Sequence, residues 1–125
     1  MTTVLICGGR NFSDVALLSM TLTKLFRELH VAKVVTGAAR GADTLGHAYA
    51  KHRGIPATEV KADWSKYGHA AGSRRNQQML DDHPDIQVVI AFPGGTGTDD
   101  MVRRSIRAGV PITFRIDVDG LIELV

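Results

Sequence analysis

Cys7 is the single cysteine in the chain, so no internal disulfide can form. It falls in the apolar run "VLIC" and reads as a small buried strand residue rather than a reactive thiol. No run of eighteen apolar residues occurs, which excludes a membrane-spanning helix. The N-terminus has no basic region followed by a long apolar one. A cytoplasmic protein with no membrane partner is expected. The five histidines are scattered, and His47 and His52, five apart, do not share a helical face. No cysteine or histidine cluster has zinc spacing, so neither a metal nor a cofactor is expected. There is no G-x-S-x-G elbow. A dominant charge is missing too: the net charge is +2, without an extended lysine-rich stripe, which counts against nucleic acid as a partner. Repeats, linkers and low-complexity segments are absent. With 44% apolar and 22% charged residues, the 125-residue chain is expected to form a single domain, residues 1–125.

What is present is an alternation of short apolar runs with helical patterns. "TVLICGG", "AKVVTG", the weaker "ATEVKA", "IQVVIAF" and "ITFRI" read as strands. Between them, a stripe of Val15, Leu18, Leu22, Leu25, Phe26 and Leu29 predicts a helix from about Ser13. Leu45, Ala48, Tyr49 and His52 predict a second, ended by Gly54 and Pro56. Arg75, Met79 and Leu80 mark a third, after the longer connection "DWSKYGHAAG". Met101, Val102 and Ile106 mark a fourth, with Thr98, Asp99 and Asp100 as its starters. Such β-α-β-α order predicts a parallel sheet with helices on both faces. The Asp119-Gly120 turn predicts a short antiparallel strand at the C-terminal end.

Three of the strands run into glycine-bearing turns that precede helices: "CGGRNFSD", "TGAARGAD" and "FPGGTGTDD". Carboxyl ends of parallel strands lie on one side of a sheet, so these turns share that side. Gly8, Gly9, Gly37 and Gly41, with Gly94, Gly95 and Gly97, are expected to bring backbone close to a ligand, the last three through φ > 0. Pro93 to Thr98, including Thr96, form a strand–loop–helix start suited to an anion, without the lysine of a Walker loop. Arg10 and Arg40 add guanidinium forks in the first two turns. Asp43 reads as a helix-capping carboxylate or as an acceptor for a ribose hydroxyl. In "DWSKYGHAAGSRRNQQM", Trp64 and Tyr67 lie beside Arg74, Arg75 and Asn76, a possible stacking platform with phosphate-reaching arginines or an aromatic loop packed on its own helix. Arg103, Arg104 and Arg107 read as a solvated face toward the end of the last helix.

The set "GGRNFSD", "TGAARGAD", "DWSKYGHAAGSRRNQQML" and "AFPGGTGTDDMV" resembles the small single-domain proteins of the SLOG superfamily, in its YspA-like, cpYpsA-related branch. That superfamily also holds the DNA-processing protein DprA and the cytokinin-activating LOG enzymes. The resemblance covers residues 3 to 115 and implies a Rossmann-like sheet of strand order 3-2-1-4-5. It also implies a nucleotide or nucleotide-derived ligand, commonly a homodimer, and a phage or mobile-element context. LOG enzymes are phosphoribohydrolases whose signature resembles R-K-x-x-M followed by P-G-G-x-G-T-x-x-E. Arg75 and Met79 match the first motif, with Asn76 in place of its lysine. Pro93, Gly94, Gly95, Gly97 and Thr98 match the second, but Met101 stands where the glutamate falls. A thioether handles no proton, and the nearest carboxylates, Asp99 and Asp100, precede that position by two residues and one. Binding is therefore expected ahead of catalysis. If the chain is an enzyme, Arg75, Asp100 and Asp99 are its catalytic residues, cleaving the N-glycosidic bond of a nucleoside 5′-monophosphate.

Overall fold

The computed structural model describes every residue from Met1 to Val125. β1 (Thr2–Cys7) is followed by α1 (Val15–Glu28), β2 (Val31–Thr36), α2 (Ala42–His52) and β3 (Ala57–Glu59). Next come α3 (Trp64–Tyr67), a 3-10 turn at Gly68–Ala70 and α4 (Ala71–Asp82). β4 (Ile86–Ala91), α5 (Thr96–Arg107), β5 (Ile112–Ile116) and β6 (Ile122–Leu124) complete the chain. The sheet runs β3-β2-β1-β4-β5-β6, with β1 to β5 parallel and β6 antiparallel to β5. This is the expected doubly wound order, extended by the hairpin strand.

Continuous apolar runs make buried strands because successive side chains point to opposite faces and both faces are covered. Val4 and Ile6 of β1 join Val34, Val88 and Ile90 in one layer, closed by Leu18, Leu22, Leu25 and Phe26 of α1 and by Ala42 and Ala50 of α2. Leu5 and Cys7 face the other layer, with Val35, Val89, Met79 and Leu80 of α4, and Met101 and Val102 of α5. Each fully buried leucine, such as Leu18 or Leu22, contributes about 1.5–3 kcal/mol. The longer connection before α4 holds α3, whose start is capped by Asp63 accepting from the Lys66 N–H at 3.1 Å.

Four local expectations change. The buried residues of α2 are Ala42, Asp43, Gly46 and Ala50, so Ala48 and His52 of the expected face are exposed. Val15 heads α1 and is 55% exposed rather than part of the buried stripe. α1 starts there because Asp14 accepts from the Leu17 N–H at 3.0 Å. α5 begins at Thr96, two residues before the expected starters, with Gly95 as its N-cap and no side-chain cap. Its buried stripe is Thr98, Met101, Val102 and Ser105, and Ile106 is half exposed. Gly94, Gly95 and Gly97 also do not take positive φ.

Candidate functional site

The sheet order reverses between β1 and β4, whose carboxyl ends flank a crevice. Gly9 ties the walls together through its backbone. Its N–H donates to Pro93 O at 2.9 Å, and its carbonyl accepts from Ala42 N at 3.2 Å, at the start of α2. Glycine is required there for space: a Cβ on Gly94 would lie 2.6 Å from the Gly9 nitrogen and collide with the Thr98 hydroxyl. Gly41 combines φ 85 with a backbone approach to Gly9 and Arg10 that no side chain would permit. A further glycine, Gly46, was not legible as a packing residue in the sequence. A Cβ there would meet Ile6 at 2.7 Å, so its absence lets α2 lie close on β1.

A cavity of about 670 Å³ opens above this crossing. Its floor is Cys7, Met79 and Met101, and its walls carry Asp43, Arg75, Asn76 and Asp100. The α5 N-terminus enters from one side. The Thr96, Gly97 and Thr98 N–H groups donate to no protein acceptor, as expected for the first turn of a helix. The β4 loop forms the adjoining rim, and a Cβ on Gly95 or Gly97 would meet nothing within 4 Å. Burial pushes the Cys7 thiol far up, so it stays protonated beneath the cavity.

Arg75 and Asp43 converge on Gly37. The Arg75 Nη1 donates to the Gly37 carbonyl, its Nε donates to Asn76 Oδ1 at 3.0 Å, and a Cβ on Gly37 would lie 2.8 Å from Asp43 Oδ2. Asp43 is 5% exposed, and burial raises its pKa to about 6 despite the Ala39 N–H at 3.2 Å and the attraction of Arg75. Burial lowers the pKa of Arg75 as well; Asp43 opposes that shift and Arg10 adds to it.

The raised carboxyl has a measurable consequence. A folded pKa near 6 against an unfolded value of 3.8 means that the native state holds more protons between those values. The stability contributed by the neutral form is complete below the unfolded pKa and is lost as pH rises through about 6, a fall of about 3 kcal/mol. Thermal melts from pH 4 to pH 7.5 should show this decline, and Asp43→Asn should flatten it. A parent and variant with parallel pH profiles would show that Asp43 is not buried as described.

Asn76 is 4% exposed and joins α4 to α5, donating to Asp100 Oδ2 at 3.0 Å and to Gly97 O at 3.3 Å. Asp100 also accepts from Arg104 Nε at 2.8 Å and faces Arg103 Nη2 at 3.7 Å. Arg104, its side chain 25% exposed, is thus turned inward rather than on a solvated face, while Arg103, 64% exposed, reaches the cavity rim from the middle of α5. Arg103 shares a helical stripe with Thr96 and Asp100 once the helix starts at Thr96, and that spacing was the available signal. Asp99 points elsewhere, accepting from Arg115 Nη2 of β5 at 2.8 Å. Trp64 stands at the mouth with the Arg10 guanidinium 4.7 Å from its ring centre. Tyr67 is apart from it, stacked with Arg74 at 4.4 Å. Arg40 lies outward, its Nη2 3.4 Å from Asn11 Oδ1. His69 and Ser73 also line the cavity and were not singled out from the sequence.

An open parallel sheet with its crevice beyond β1 and β4 defines a Rossmann-like α/β protein of the doubly wound class. The chain belongs to the YspA, cpYpsA-related SLOG family, whose model matches residues 2–67. It is 35% identical over 120 residues to the Gene 61 protein of Mycobacterium phage D29, covering 90% of this chain and 94% of that one. Its fold is similar to DNA processing protein A (DprA) from Streptococcus pneumoniae, with a TM-score of 0.70 and 19% identity over 93% of this chain. The chain spans 50% of that DprA chain. It is also similar to the structure of TM1055, with a TM-score of 0.64 and 18% identity, over 87% of this chain and 71% of that one. Membership of the SLOG family supports a nucleotide-related role in general. No helix is long and apolar enough to cross a membrane.

Proposed function

We propose that the chain binds a nucleotide or nucleotide-derived ligand as a sensor, carrier or sequestering protein, with a phosphate seated on the first turn of α5. The observation that carries this reading is the set of unpartnered Thr96, Gly97 and Thr98 N–H groups beside a cavity of about 670 Å³. Helix N-termini stabilise anions through those donors and the macrodipole, and the volume suits a nucleotide. Arg75 and Arg103 supply positive charge on the same cavity.

Hydrolysis of an N-glycosidic bond is the second reading, because Asp100 lines the cavity. Both hydrogen bonds that Asp100 accepts, from Asn76 and Arg104, fall on Oδ2, however, with Arg103 3.7 Å from Oδ1, and Met101 is 1% exposed in the apolar layer. Through Asn76 the carboxylate clamps α4 to α5, and the position that the motif gives to a glutamate holds Met101, which handles no proton. Binding is the better supported function.

Native mass spectrometry of freshly purified protein will identify a co-purifying nucleotide, and thermal shift against mono-, di- and cyclic nucleotides will rank candidates. A ligand at a hundredfold excess over its Kd should add about 2.7 kcal/mol and raise Tm by several degrees. Arg75→Ala should weaken binding roughly ten- to a hundredfold, by removing charge-assisted hydrogen bonds. No base release is expected from nucleoside 5′-monophosphates. Steady turnover that disappears in Asp100→Asn would establish the hydrolase instead.

A further inference from the structure

A second cavity of about 420 Å³ adjoins the first, beyond the stacked pair of Arg10 and Trp64. Its walls are the turn after β2, the segment after β3 and the outer edge of Arg75. Four cations line it, Arg10, Arg40, Lys61 and Arg75, and no carboxylate does. None of the four has a carboxylate oxygen within 4.0 Å. The protein's other close charge pairs show that its arginines do find carboxylates where these are in reach, as Asp99 and Asp100 do for Arg115 and Arg104. Arg75 feels the attraction of Asp43 and the repulsion of Arg10, and the cavity itself gathers four cations with no carboxylate in its lining, an arrangement suited to an anion.

The backbone of the same turn adds donors. The Ala38 and Arg40 N–H groups have no acceptor in the protein. Ala38 takes φ 58, a left-handed conformation that costs a non-glycine residue about 1–2 kcal/mol. Strained backbone of this kind persists where its surroundings hold it, and left-handed residues in turns gather N–H groups into anion-binding concavities.

We propose that this cavity is a second anion subsite, so that the ligand carries two phosphates at separate positions of one nucleoside, as in a nucleoside 3′,5′- or 2′,5′-bisphosphate. The inference rests on the nucleotide-binding reading above and extends it to the class of ligand. Arg10 and Trp64 stand between the two sets of donors, with both cavities sharing them and Arg75. The two phosphates of a 5′-diphosphate share one bridging oxygen and occupy one subsite. Phosphates on opposite sides of a ribose reach both. Lys61, which the sequence did not single out, belongs to the second subsite alone.

Isothermal titration with a nucleoside 5′-monophosphate, its 5′-diphosphate, its 3′,5′- and 2′,5′-bisphosphates and a 5′-phosphorylated dinucleotide tests the proposal. A bisphosphate should bind at least about tenfold tighter than the monophosphate, and the exposed-site substitution Lys61→Gln should remove about that factor while leaving the monophosphate within twofold. A dinucleotide tighter than either bisphosphate, and equally sensitive to Lys61→Gln, also supports the subsite and assigns it to the end of an oligonucleotide. Equal binding of the diphosphate and the bisphosphates, or equal weakening of mono- and bisphosphate by Lys61→Gln, overturns it in favour of a diffuse positive field. Inorganic phosphate followed by amide NMR probes the subsite without any nucleotide. Shifts at Ala38, Arg40 and Gly41 that vanish in Lys61→Gln support it even if every nucleotide fails and the reading above falls. Shifts confined to Thr96, Gly97 and Thr98 overturn the second subsite and leave that reading standing.

Discussion

Gly94→Val should destabilise the protein by about 3 kcal/mol or more, roughly 10 °C in Tm, whereas Gly97→Val should leave stability unchanged and abolish ligand binding. The two glycines lie three residues apart, on either side of the start of α5, yet their surroundings are opposite. A Cβ on Gly94 would meet the Gly9 nitrogen at 2.6 Å, and that nitrogen belongs to the backbone that ties the β1 loop to the β4 loop. The contact is with main chain rather than with a flexible side-chain end, so relief requires the loops to separate. Gly97 is in the first turn of α5, where valine is at least as good a helix former as glycine and a Cβ would meet nothing within 4 Å. The valine would instead fill the space beside the free N–H groups. Melting curves and titration with the best nucleotide separate the two effects. If Gly97→Val binds like the parent, the ligand does not sit on this helix start.

Met101→Glu, which completes the P-G-G-x-G-T-x-x-E pattern, should cost about 3–5 kcal/mol and create no base-releasing activity. Pattern alone would favour a gain of function, since the glutamate restores a carboxylate at the matching position. The packing decides otherwise. Met101 is 1% exposed among Leu5, Cys7, Met79 and Val102, with no free donor in that layer to receive a charge. A carboxyl there would be protonated or would disrupt the contact between α5 and the sheet. Circular dichroism melts and release of free base from nucleoside 5′-monophosphates give the answer. A stable variant that releases base would show that this crevice is a LOG-type active site lacking one residue.

These two substitutions mark the boundary between what was legible in the sequence and what was not. The five parallel strands and the longer helices between them could be read from hydrophobic spacing because that spacing is a local property of the chain. Leu5 and Cys7 alternate with Val4 and Ile6 whatever lies beside them. Three glycine-bearing turns could likewise be placed on one side of the sheet, because parallel strands allow no other arrangement. The role of each glycine could not be read, since Gly94 and Gly97 differ only in what another loop brings near them. Strand order had the same status: it came through the family resemblance, and only pairing of β1 with both β2 and β4 places the crevice.

By itself, then, the sequence determined an α/β chain buried on both sheet faces, with anion-suited turns at the strand ends. Tertiary structure decided which residues share a cavity. It sent Asp99 to Arg115 and Asn76 to Asp100, and it brought Lys61 to a cavity where the spacing of its own segment did not put it. It also set Gly46 against Ile6 and Asp43 beneath Arg75. The physical reason is range. Periodicity and turn chemistry act over a few residues, while desolvation, charge pairing and backbone approach depend on groups far apart in the chain that meet only when the sheet has closed.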